Sequence, residues 1–156
     1  MLHLSNKSKS LGLLVFSGML IETAILPLPQ PNTTAIAHEV EISGDVAATF
    51  HLEPNHNPRA GETAKVWFAL TRRGGQIIPL QQCNCQLAVY PKGYKQGDKP
   101  LMQPPLKAVS AERYQGIPGA EIVFPKAGIY ELELSGKPKT ASNFKQFKLT
   151  YTVTVR

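Results

Sequence analysis

The chain has 156 residues, of which 42% are hydrophobic and 18% charged, and it carries a formal net charge of +6 at pH 7. That length and apolar content suffice for one domain with its own core. The positive excess (Lys92, Lys95, Lys99, Lys107, Lys126, Lys137 and Lys145) is scattered, forms no block and is not interleaved with aromatics. This reads as a solvated surface and excludes the usual nucleic-acid footprint.

In chain order, the first feature is a leader. Lys7 and Lys9 precede an apolar run from Leu11 to Ile21, and Ala35-Ile36-Ala37 is a small-x-small cleavage signal. Together these read as a secretory signal peptide over residues 1–37, with a mature domain over 38–156. A spanning helix needs about 20 apolar residues, whereas Glu22 breaks this run and Pro27, Pro29 and Pro31 follow. The protein is therefore expected to be exported, periplasmic or lumenal, and membrane-associated only if the leader is retained. No second hydrophobic segment follows, and a soluble monomer is expected.

The mature chain reads as all-β. Strands are expected over 39–43, 46–53, 64–71, 85–90, 120–124, 129–134 and 147–155. The last is the clearest, because Phe147, Leu149, Tyr151, Val153 and Val155 alternate with Lys148, Thr150, Thr152 and Thr154, a period of two. Turn residues separate the strands at Ser43-Gly44-Asp45, Pro54 to Gly61, Gly74-Gly75, Pro91 to Pro105 and Gly116 to Gly119. No stretch has helical periodicity. About seven short strands joined by turns predict an immunoglobulin-like Greek-key β-sandwich, with a small Greek-key barrel as the alternative. The Pro-rich segment 91–105 reads as a long surface loop.

His38 would open the processed chain, placing a free α-amine and an imidazole on one residue. Copper(II) favours such nitrogen donors in a square arrangement. His51 and His56 are the residues expected to complete the site. Phe50 and Leu52 turn His51 outward from its strand, and Pro54 and Pro58 stiffen the loop that carries His56. Asp45 and Glu53 are weaker oxygen donors. Cys83-Asn84-Cys85 puts two sulfurs on one strand face, about 6.6 Å apart at Cα by the strand rise, on the side of Leu87 and Val89. A disulfide, a copper(I) or zinc thiolate site and a pair of buried thiols are all open readings. Tyr90, Tyr94, Tyr114 and Trp67 suggest core packing ahead of a carbohydrate or partner surface. Gly-x-Ser-x-Gly, His-Glu-x-x-His and a phosphate-cradling glycine loop are absent, and no enzymatic activity is expected.

The segment from His51 through Pro54-Asn55-His56-Asn57-Pro58 to Glu62, and the later Phe124-Pro125-Lys126-Ala127-Gly128-Ile129-Tyr130, resemble the exported YtkA-like domains. That resemblance implies an immunoglobulin-like fold over most of the mature chain. The start at His38 resembles copper carriers of the CopC type, whose mature chains begin with a histidine ligand. Their downstream Asp-x-His is absent here, so further ligands would come from Cys83, Cys85, His56 and His51. The expected role is that of a periplasmic metal carrier or accessory factor, copper before zinc. The alternative is a protein-interaction or assembly module for a membrane-protein partner, with Cys83 and Cys85 structural.

Overall fold

The computed structural model describes residues 39–140 and 144–156, all within one compact unit, Thr34–Arg156. The leader and its cleavage point lie outside the described residues. Eight strands follow in order: β1 (Glu39–Ser43), β2 (Val46–Glu53), β3 (Thr63–Arg72), β4 (Cys83–Pro91), β5 (Lys107–Ala111), β6 (Tyr114–Val123), β7 (Gly128–Pro138) and β8 (Phe147–Val155). A 3-10 turn, Leu80–Gln82, leads into β4. No helix among the described residues is long and apolar enough to cross a membrane.

The strands form two antiparallel sheets, one ordered β1-β2-β3-β6-β5 and the other β4-β7-β8. With β1 set aside and β2 to β8 relettered A to G, these become A-B-E-D and C-F-G. That is the constant-type immunoglobulin arrangement, with β1 added at one edge. Two separate sheets replace the single closed barrel of the alternative reading. The Tyr130 hydroxyl, near the start of β7, donates to the Lys126 carbonyl at 2.8 Å. This is the tyrosine corner that marks the same position in immunoglobulin-like sandwiches.

Alternation places the core between the sheets. Val46, Ala48, Phe50 and Leu52 of β2 face Phe147, Leu149, Tyr151 and Val153 of β8, and all are buried. Tyr151 stacks on Phe50 at 4.6 Å and lies 5.7 Å from Phe68. Its buried hydroxyl donates across the interface to the Ala48 carbonyl at 3.1 Å, so a polar atom enters the core with its hydrogen bond made.

Two details differ from the sequence expectation. β5 is an additional strand, and β6 begins at Tyr114 instead of 120, running through the glycines that read as a turn. Gly119 belongs inside that strand for a steric reason. A Cβ there would lie 2.7 Å from Val109 Cγ2 and 3.2 Å from the Val66 carbonyl. Only glycine lets the Val109 side chain of β5 settle against β6.

Candidate functional site

The outer face of β2 carries His51. Its neighbours Phe50 and Leu52 are each 1% exposed and point into the core, and the period of two sends His51 the other way. Across the ladder His51 pairs with Trp67 of β3, and the two rings stack at 4.7 Å with planes 17° apart. Trp67 is itself buried. With Ala69 and Ile117 it forms a small second cluster on the outer face, flanked by Val109, Ala111 and Tyr114.

The loop after β2 returns His56 to the same place. The Glu53–Pro54 peptide is cis, and Asn55 and His56 both adopt the left-handed region, at φ 51° and 53°. The His56 amide donates to the Leu52 carbonyl at 2.8 Å, and that of Asn57 to Pro54 at 2.9 Å. The loop is then tied to other elements: Ala60 N–H donates to Arg156 at 2.7 Å, Arg156 N–H to Pro58 at 3.0 Å and Gly61 N–H to Phe124 at 2.9 Å. A histidine held at positive φ costs on the order of 1–3 kcal/mol and persists where its surroundings enforce it. The result is an imidazole pair. The His51 and His56 ring centroids are 4.9 Å apart and nearly perpendicular, at 81°, and His56 also meets the Phe50 ring edge at 5.6 Å. His51 Nδ1 and His56 Nε2 are both shielded from solvent. The two rings thus lie side by side on the outer face of the first sheet.

Beside this pair, Trp67 also borders an open groove of about 520 Å³, whose polar lining includes Glu53, Lys65, Lys107 and Glu121. The groove was not legible in the sequence, because one wall, Lys107, Val109, Ser110 and Ala111, belongs to the unanticipated β5. Asp45 sits in the β1–β2 turn, where its carboxylate accepts the Lys145 amide at 3.0 Å.

Cys83 and Cys85 form a disulfide with Cα atoms 5.2 Å apart, closer than the ideal strand rise predicts. As parity required, the sulfurs lie on the core side of β4, with Cys83 2% exposed and Cys85 packed at the core rim. The disulfide therefore sits between the sheets, whereas His51 is on the outer face of the other sheet. The fold does not bring the cysteines to the histidine pair. Among the described residues, no group of three or more His, Cys, Asp or Glu side chains is placed to hold a metal ion. His38 lies outside the described residues.

The tyrosines divide between the sheets. Tyr114 lies 6.0 Å from Trp67, while Tyr90 and Tyr94 stack on each other at 4.0 Å on the outer face of the second sheet. There the Tyr94 hydroxyl donates to Glu133 Oε2 at 3.1 Å, and Lys148 Nζ approaches the same oxygen at 3.0 Å. Burial, followed by the bond to Glu133, pushes the Tyr94 hydroxyl pKa up. The Glu133 bond likewise raises that of Lys148. These features describe a satisfied polar face.

No protein-family model matches the chain, and the YtkA-like and CopC-like resemblances find no support there. No curated protein matches it either. Among solved structures, a DUF4426 family protein from Pseudomonas aeruginosa aligns at 9% identity and a TM-score of 0.45, covering 74% of this chain and 96% of that one. The immunoglobulin-like assignment rests on the strand order and the Tyr130 corner.

Proposed function

We propose that this protein is an exported, non-enzymatic β-sandwich that binds a transition metal, copper before zinc, through His51 and His56. The observation that carries the reading is the placement of two imidazoles 4.9 Å apart, one from a strand and one from a loop held in a left-handed conformation. Copper(II) prefers nitrogen donors, and Irving–Williams preference ranks it above zinc. In this proposal His38 supplies its amine and ring once the leader is removed. It is the sequence neighbour of Glu39, which pairs with Phe50 beside His51. Cys83 and Cys85 have no part in the site, since they are joined to each other and face the other way.

The test is a copper(II) titration of the chain starting at His38, alongside His51→Ala, His56→Ala and a version with one extra N-terminal alanine. Each histidine replacement should weaken binding by at least about 100-fold, the upper end of what losing a merely supporting residue costs. The extra alanine should weaken it as well. Affinity unchanged in both histidine variants would remove this site.

One observation favours a second reading, an assembly module. Edge strand β1 presents Val40 and Ile42 on its outer side, 55% and 72% exposed. An exposed apolar edge is a ready surface for a partner's strand. Val40→Lys with Ile42→Lys would abolish such an association while leaving copper affinity intact.

A further inference from the structure

Cys83 and Cys85 lie in the same strand, two residues apart. Their bond ties no two elements of the fold together and closes a minimal loop, so it constrains the unfolded chain little. Structural disulfides ordinarily join distant segments, and this one has no such task. Its two sulfurs also differ in environment. Cys83 is 2% exposed and sits against β7, where a Cβ on Gly136 would come within 2.7 Å of its sulfur and 2.6 Å of the Phe147 ring. Glycine at 136 is what makes room for the buried sulfur. Cys85 is only partly buried, on β4 at the edge of its sheet. It contributes to the walls of two adjoining surface depressions. One, of about 410 Å³, is lined by Asn84, Ser135, Lys137 and Gln146 among others; the second, of about 200 Å³, by Gln103, Pro104 and Leu106. Asn84, Ser135 and Lys137 have the opposite parity to Cys85 and Gly136 and face away from the sulfurs. The approach to Cys85 is therefore the second depression, along the edge of β4, where Gln103 offers an amide to an extended peptide.

We propose that Cys83–Cys85 is a thiol–disulfide exchange site that accepts electrons from the cysteine pair of a protein dithiol. A partner thiolate attacks Cys85 Sγ, forming a mixed disulfide, and the Cys83–Cys85 bond breaks with its electron pair going to Cys83 Sγ, which takes up a proton. The partner's second thiolate then attacks the partner's own sulfur in the mixed disulfide. That closes the partner's disulfide and releases Cys85 as a thiolate, which is protonated in turn. The partner loses two electrons and two protons, and Cys83 and Cys85 gain them. This activity is independent of the metal site, and its test makes no use of copper.

The oxidised full chain is incubated with reduced glutathione, quenched with N-ethylmaleimide and mapped by peptide mass. Glutathione should be found on Cys85 and maleimide on Cys83, at least tenfold over the reverse arrangement. A reduced synthetic peptide containing Cys-x-x-Cys should be oxidised stoichiometrically by the folded protein. Cys83→Ser with Cys85→Ser should abolish that oxidation while the melting temperature shifts by only a few degrees. Reduction that occurs only after unfolding in urea, or glutathione predominantly on Cys83, would overturn the proposal.

Discussion

Replacing Gly136 with alanine probes the more crowded of the two glycines in the second sheet. The new Cβ would stand 2.6 Å from Phe147 Cζ and 2.7 Å from Cys83 Sγ, well inside van der Waals contact. Neither neighbour yields easily, because the Phe147 ring is buried against Phe144 and the Cys83 sulfur is tethered to Cys85. Overpacking of this kind costs about 1–3 kcal/mol. Against it stands a gain of about 0.4–1 kcal/mol from a less flexible unfolded chain, since Gly136 does not occupy the left-handed region. The net expectation is a loss of roughly 0.5–2 kcal/mol, or several degrees in melting temperature for a domain of this size. Urea unfolding of oxidised wild type and Gly136→Ala measures it. With the disulfide reduced, the Cys83 sulfur can rotate away, so the loss should shrink while the Phe147 contact keeps it above zero. A variant equal to wild type or more stable would refute the packing reasoning, because it would show only the unfolded-chain effect.

Tyr130→Phe removes the hydrogen bond to Lys126 and should cost about 1 kcal/mol, read as a lower urea midpoint with an unchanged slope; no change would deny the corner its role. Burial, together with the charges of Glu41 and Glu131, raises the Glu39 carboxyl above its ordinary range. The folded protein therefore holds that proton to higher pH than the unfolded chain, and the associated stability, complete below the ordinary value, is lost as pH rises through the folded one. Glu39→Gln should consequently exceed wild type in stability at pH 7, with the difference closing below about pH 4, as urea midpoints at both pH values will show. Trp67 is the single tryptophan of the chain and stacks on His51 at 4.7 Å. Copper(II) at the histidine pair should quench its fluorescence, zinc should not, and His51→Ala should abolish the quenching.

The sandwich was legible wherever one face of a strand is buried and the other wet. β8 reads directly from its Thr and Lys alternation, and β2 from the apolar residues that flank His51. β5 escaped because Lys107-Ala-Val-Ser-Ala is short, weakly apolar and preceded by prolines; its strand character comes from pairing with β6. The start of β6 was hidden by Gly116, Pro118 and Gly119, which resemble a turn. Pro118 lacks an amide donor, and Gly119 is there for the Val109 contact. For the candidate site, parity showed that His51 faces outward and that both sulfurs share the core side of β4. It could not show that the His56 loop folds back onto His51, because that return depends on two left-handed residues and on bonds to Arg156 and Phe124, distant in sequence. Nor could strand faces alone show that cysteines and histidines belong to different sheets.

In the proposed site His51 and His56 bind one metal ion together. Pulsed electron paramagnetic resonance of the one-to-one copper(II) complex, on the chain starting at His38, counts the coordinated imidazoles directly. At least two are expected, with one lost in His51→Ala and one lost in His56→Ala. A spectrum with no imidazole nitrogen, or one unchanged from wild type in both variants, would contradict it.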